Sequence, residues 1–251
     1  MIDTHCHLFM MEGEPQDQVE VAREAGLEAL VCVGVDRETS RRSRELADAL
    51  RGVFATAGVH PNSASEFDDA TGAEIEELLS DPRVVAVGET GLDRYRMGAP
   101  FEDQERVFRA HCSLAREHGK ALVVHVRDAW DDALRVLADE SAEQVILHCF
   151  SGGSEEAREA SARGYYCSFA GPITYPKNDE LRAAAALVPP GLLLAETDSP
   201  FLPPQPVRGE PNVPANLGHT IAALAEARGE DPGMIASLTA ANARTAFALP
   251  A

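Results

Sequence analysis

Ala121-Leu122-Val123-Val124-His125-Val126 is a run of apolar residues broken by a single histidine near its end. Near-continuous Val, Leu and Ala over so short a stretch is the pattern of a strand buried on both faces of a parallel sheet, with helices covering either side. Seven further short runs of this kind lie outward from it: Met1 to His5, Ala29 to Val33, Val53 to Val59, Val84 to Gly88, Val145 to Cys149, Tyr165 to Phe169 and Leu192 to Ala195. The intervals between them read as helices. Asp17 with Glu20, and Thr71 with Glu74, have the spacing in which a cap oxygen and a later acid satisfy the first backbone N–H groups of a helix. Gly26, Gly119 and Gly164 stand where helices should stop. Eight strand-then-helix units in 251 residues predict an α/β chain with a (β/α)8 TIM barrel spanning residues 1–251 as one domain.

At 45% hydrophobic and 25% charged residues, the chain has the composition of an ordinary globular protein with one large core. No apolar run approaches the roughly 18 residues of a membrane span, and the first residues read as a strand rather than a signal peptide. Five cysteines without a C-x-x-C pair give neither a disulfide framework nor zinc-ribbon spacing. These features predict a cytoplasmic protein with no membrane attachment, and they imply no obligate protein partner. The segment richest in Pro and Gly, Pro200 to Pro214, follows the eighth run and reads as a long loop at the barrel mouth.

His5, His7, Glu89, His125, His148 and Asp198 each fall at or just past the end of one of these runs. In a barrel of this type the C-terminal strand ends ring one mouth, so residues far apart in sequence converge there. His5 and His7 are two apart on a strand and point the same way, whereas Cys6 is turned aside. Four imidazoles and two carboxylates exceed what one tetrahedral ion accepts, and two ions bridged by a carboxylate use them all. Mixed His and carboxylate donors suit Zn²⁺, Mg²⁺ or Mn²⁺. Buried acids and imidazoles are costly unless paired or coordinated, which favours function over packing for this set. His60 ends the third run in Gly58-Val59-His60-Pro61 and faces the mouth, as a substrate contact or a support for the metal shell. His111, His118 and His219 lie on helical stretches and read as surface or helix-packing residues.

Six blocks carry a family resemblance along the whole chain: Asp3-Thr4-His5-Cys6-His7-Leu8, Gly58-Val59-His60-Pro61, Gly88-Glu89-Thr90-Gly91-Leu92-Asp93, His125-Val126-Arg127-Asp128-Ala129, His148-Cys149-Phe150-Ser151-Gly152 and Glu196-Thr197-Asp198-Ser199-Pro200. In that order they resemble the successive motifs of the TatD family. The resemblance implies a metal-dependent deoxyribonuclease among the amidohydrolase-like barrels, often with 3′-to-5′ exonuclease action. It further implies that His5 and His7 bind one ion, His125 and His148 the other, that Glu89 bridges, and that Asp198 holds the first ion near the attacking water. One departure stands out. The family usually has an Arg-Asn-Glu-Pro run after the last strand, where this chain reads Arg208-Gly209-Glu210-Pro211, with Asn212 nearby. Many members of the broader superfamily bridge their ions with a carboxylated lysine, but Lys120 and Lys177, the only lysines, end no strand suitably, which leaves that role to Glu89.

Two ions of this kind activate a water and stabilise the attacking and leaving oxygens of a displacement at phosphorus, so no side-chain nucleophile is required. Asp198 is the candidate to orient that water and accept its proton. Glu196, two residues back on the same face, and Asp3, on the face of His5, are candidate supports behind the ligands. Tyr95, Arg127 and Arg208, with Arg94 and Arg96, are candidates to contact phosphates or stack on bases. The net charge of −19 is the wrong sign for a protein that grips duplex through many phosphates, but it is compatible with a metal-lined pocket that admits one single-stranded 3′ end of DNA. The same site suits a small ester, amide or phosphoester, because fold and metals do not set the substrate. A catalytically weak metal-binding barrel is a third possibility, and the intact ligand set counts against it.

Overall fold

The computed structural model describes residues 1–250. Its strands and α-helices alternate from the start: β1 (Ile2–Cys6), α1 (Pro15–Glu24), β2 (Ala29–Val33), α2 (Arg37–Ala49), β3 (Val53–Ala57), α3 (Asp69–Leu79), β4 (Val84–Asp93), α4 (Phe101–His118) and β5 (Ala121–Arg127). They continue as α5 (Trp130–Asp139), β6 (Val145–Leu147), α6 (Ser154–Ala162), β7 (Tyr166–Phe169), α7 (Asp179–Leu187), β8 (Leu193–Ala195), α8 (Leu217–Arg228) and α9 (Pro232–Ala246). Among the described residues the eight strands form one sheet in sequence order, β1 through β8. That order, with a helix after every strand, makes the fold a (β/α)8 barrel, as the runs predict.

The chain divides into two compact units, one made of Met1–Val31 and the chain from Cys149 onward, the other of Cys32–His148. In the first, β7 and β8 pair in parallel, with Cys167 opposite Leu193 and Phe169 opposite Ala195. In the second, β3, β4, β5 and β6 pair in parallel, and apart from the half-buried Phe54 the apolar strand residues are almost fully buried. Burial on both faces is the reason these strands read as continuous apolar runs rather than alternating ones.

Two helix starts differ from the sequence expectation. Helix α1 begins at Pro15 with Glu14 before it, so Asp17 lies inside the first turn rather than at the cap. Pro at the first helical position is favoured because its missing N–H would have had no partner there. The cap of α3 is Asp68, whose carboxylate accepts the Thr71 N–H at 2.8 Å, so Thr71 is the third residue of the turn and not its cap. The expected stop at Gly119 holds: it ends α4 in the left-handed conformation with φ 60°.

The strand that matters most is longer than its apolar run. β4 does not end at Gly88 but continues to Asp93, and its register against β5 slips by one residue between Val87 and Thr90. Such a bulge bends a strand and re-aims a side chain. Gly91, with φ 132°, passes so close to β5 that a Cβ there would lie 2.0 Å from the His125 carbonyl oxygen, which only glycine avoids.

Candidate metal centre

In the unit containing both ends of the chain, β1 delivers His5 within the strand and His7 just beyond it, and both are buried. The Asp198 N–H donates to the His5 carbonyl at 2.9 Å and the His7 N–H to the Ser199 carbonyl at 2.7 Å, so the segment after β8 is laid along the end of β1. Asp198 adopts φ 55° at this bend. Its Oδ1 lies 3.6 Å from His7 Nε2 and 3.9 Å from His5 Nε2. The two imidazoles stand edge to face, with centroids 5.0 Å apart.

Behind these groups Asp3 is fully buried. Its carboxylate accepts the Thr197 N–H at 2.9 Å, the Thr197 hydroxyl at 2.6 Å and the His5 N–H at 3.2 Å. It therefore holds the backbone on either side of the cluster. Burial pushes the Asp3 carboxyl up to about 7, against the opposing pull of the Thr197 bonds. Glu196, also buried, accepts the Cys149 N–H at 2.9 Å and so anchors the residue that follows His148.

In the unit 32–148, Glu89 sits at the bulge of β4 rather than past a strand end, and its N–H donates to the Gly34 carbonyl at 3.0 Å. Glu89 is 3% exposed, and three imidazole nitrogens approach its Oε1: His125 Nδ1 at 3.0 Å, His148 Nε2 at 3.4 Å and His60 Nε2 at 3.6 Å. Burial lowers His60 to about 4 despite the nearby Glu89. For His125, burial works against the charged form, but the Asp93 and Glu89 carboxylates outweigh it and raise the ring above its ordinary value.

Asp93 was given no role by the sequence, although it lies four residues beyond Glu89 on the same strand. Its Oδ2 is 3.4 Å from His125 Nε2, and its Oδ1 accepts the N–H groups of Tyr95 and Arg96, each at 2.8 Å. Burial opposes ionisation of Asp93, yet the His125 ring and those amides hold its carboxyl well below the usual range. A carboxylate against the outer nitrogen of an imidazole is the usual way to set which nitrogen faces a metal. Period-two alternation along a longer β4 was the available signal, hidden because the apolar run stops at Gly88.

These residues fit divalent cations. A buried carboxylate needs a compensating charge, and imidazole nitrogens, which are metal donors when neutral, converge on both Glu89 and Asp198. His60, Glu89 and His125 each offer an atom within 4.8 Å of the others. Lys120 is excluded as a bridge: its ammonium donates to the carbonyls of Asp81 and Val84, at the opposite end of β4.

Of the expected substrate contacts, Arg127 ends β5 with its guanidinium 3.8 Å above the Tyr95 ring, which is 64% exposed. Arg208 stacks on Tyr175 at 4.3 Å. Arg94 is engaged elsewhere, with Asp132 at 2.7 Å and over the Phe101 ring. Near the loop position where the family's Asn is replaced by Gly209, Asn212 is buried and donates to the carbonyls of Thr197 at 2.9 Å and Phe201 at 2.6 Å. Glu210 and Pro211, the part of the family run that the chain retains after Gly209, are exposed.

The family model described as TatD related DNase matches residues 2–248. The chain belongs to the TatD family. The uncharacterized metal-dependent hydrolase TatD of Mycobacterium tuberculosis is 41% identical, over 99% of this chain and 98% of that one. The 3′-5′ ssDNA/RNA exonuclease TatD of Escherichia coli K12 is 35% identical, over 93% of this chain and 92% of its own. Among solved structures, YJJV, a TatD homolog from Escherichia coli K12, superposes with a TM-score of 0.94 at 29% identity, covering 100% of this chain and 98% of the other. The chain is a metal-dependent hydrolase with a barrel fold.

Proposed function

We propose that the chain is a 3′-to-5′ exonuclease that hydrolyses the phosphodiester bonds of single-stranded DNA with two divalent ions. The observation that carries this is the pairing of each buried carboxylate with imidazoles, Glu89 with three and Asp198 with two, in a chain 35% identical to an ssDNA/RNA exonuclease. In this reading His5, His7 and Asp198 would hold one ion and His125 and His148 the other, with Glu89 the carboxylate available to both. Bound Zn²⁺, Mg²⁺ or Mn²⁺ supplies the acidity that makes water nucleophilic near neutral pH and offsets phosphate charge.

The protein's own groups do the rest. Asp198 orients the attacking water and accepts its proton, its backbone held by His5 and its neighbour Thr197 by Asp3. Asp93 fixes the His125 ring, and Glu196 fixes the start of the segment after His148. Arg127 on Tyr95 and Arg208 on Tyr175 offer cation-on-ring pairs, suited to a phosphate on the guanidinium and a base on the exposed Tyr95 face. The acidic chain as a whole, with 41 acidic against 22 basic residues, disfavours a long duplex footprint and favours a single unpaired terminus.

The deciding experiment incubates metal-loaded protein with end-labelled single-stranded DNA, single-stranded RNA and duplex DNA beside small esters and phosphodiesters. Stepwise loss of nucleotides from the 3′ end, abolished by chelation and blocked by a 3′-phosphorothioate, is the expected result. Rapid ester cleavage with intact DNA would overturn it in favour of a small-molecule hydrolase.

A further inference from the structure

His60 lies where β3 gives way to a 3-10 turn over Pro61–Glu66. Its N–H donates to the Val35 carbonyl at 2.8 Å, and its own carbonyl accepts the Ser63 N–H at 2.8 Å. The amide before it, Val59 N–H, donates at 3.1 Å to Nε2 of His111, a buried residue of α4 whose Nδ1 lies 2.8 Å from the Val107 carbonyl. The main chain is pinned on both sides of His60, so the ring has little freedom to move.

Within that ring, Nδ1 accepts the N–H of Asn62 at 3.0 Å. A ring nitrogen that accepts a hydrogen bond carries no proton, so the neutral imidazole bears its one proton on Nε2. That nitrogen faces the centre, 3.6 Å from Glu89 Oε1. A metal-ligating histidine has the reverse arrangement: the ligating nitrogen gives its lone pair while the other donates its N–H to an acceptor. The Asn62 amide is a donor and cannot receive such a proton. His125 shows the contrast, since both of its ring nitrogens face carboxylate oxygens, Glu89 at 3.0 Å and Asp93 at 3.4 Å. The turn that sets His60 is tied to the same Asp93, through the Asn62 side-chain amide 3.4 Å from Asp93 Oδ2, and the Asn62 side-chain oxygen accepts the Gly98 N–H at 2.9 Å.

We propose that His60 is not a metal ligand but a hydrogen-bond donor of the centre, its Nε2–H directed at an oxygen of the substrate's phosphate group. The assignment rests on the phosphodiesterase reading above. As the bond from water to phosphorus forms and the bond to the leaving oxygen breaks, negative charge grows on the phosphoryl oxygens, and a fixed N–H stabilises it. The water's proton goes to Asp198, the departing sugar oxygen takes up a proton from solvent to leave as a hydroxyl, and His60 keeps its own proton throughout. Donors placed in this way, where charge develops, act without reorganising during the reaction.

The test has three readouts. Nitrogen-15 NMR of the imidazoles in zinc-loaded protein, with His60→Gln to assign the signal, should show His60 protonated at Nε2 and unshifted by zinc. The His60→Ala variant should retain the zinc content of the wild type while its turnover on single-stranded DNA falls on the order of 10²-fold. His60→Gln, which keeps an N–H donor, should recover part of that loss. A proton on Nδ1 with zinc at Nε2, a lost equivalent of zinc in His60→Ala, or unchanged turnover in that variant would each overturn the assignment. Failure of the underlying reading looks different. Wild-type protein that binds zinc but leaves DNA intact would refute the nuclease, while the tautomer and the zinc count would still decide whether His60 is a ligand.

Discussion

Glu89 Oε1 lies 3.0 Å from His125 Nδ1, and Glu89 is placed there by a bulge in β4 rather than by the end of a strand. His148 and His60 approach the same oxygen, so one carboxylate faces three rings. With Glu89 shared between the two ions as proposed, replacing it with Ala should release both together, measured as metal content after dialysis. Retention of one ion at full affinity would show that Glu89 serves a single site and does not bridge.

Asp198→Asn keeps the size of the side chain but cannot take a proton from water. Turnover should drop by about 10²-fold or more, with a much smaller change in KM. Near-normal turnover would leave Asp198 as at most a ligand.

Asp93 is expected to act through His125. The Asp93→Asn variant should lose roughly 10- to 100-fold in metal affinity, the usual cost of removing a carboxylate behind a ligating histidine. Isothermal titration with Zn²⁺ or Mn²⁺ measures this directly, and an unchanged affinity would reduce Asp93 to a support for the Tyr95 and Arg96 amides.

His111 makes stability depend on pH. Burial lowers its ring from 6.5 to about 4, so the folded state keeps it neutral where the unfolded chain takes up a proton. Its contribution is fully present above the unfolded value of 6.5 and is lost as pH falls towards the folded value of about 4. Between pH 7 and pH 5 this amounts to about 2 kcal/mol. Denaturant titrations of chelated protein at the two pH values should show that loss in the wild type and a smaller one in His111→Gln. Equal losses would place the pH dependence elsewhere.

The Arg127 guanidinium over the exposed Tyr95 ring should matter for substrate affinity more than for chemistry. Arg127→Ala and Tyr95→Ala are each expected to raise KM on single-stranded DNA with kcat little changed. The salt dependence of binding should be shallow, corresponding to about two or three neutralised phosphates at roughly 0.7 per phosphate, and Arg127→Ala should remove about one of them. A kcat loss that exceeds the KM change would instead place Arg127 at the reacting phosphate.

The amino-acid sequence was enough to determine the barrel and to single out the candidate ligands. Strands buried on both faces must be apolar throughout, so they register as runs with no tertiary information, and a polar His or Glu closing such a run has few explanations other than function. Only the tertiary structure decided how those residues are oriented. That Asp3 accepts backbone N–H groups, that Asn212 donates to the Thr197 carbonyl, and that His60 accepts the Asn62 N–H all depend on which donor meets which acceptor across the fold, and residue type does not encode that. β4 is the clearest case. Its apolar run stops at Gly88 because beyond it the strand carries the polar residues of the candidate metal centre, and the close passage of Gly91 against His125 keeps Glu89 and Asp93 on one continuous strand.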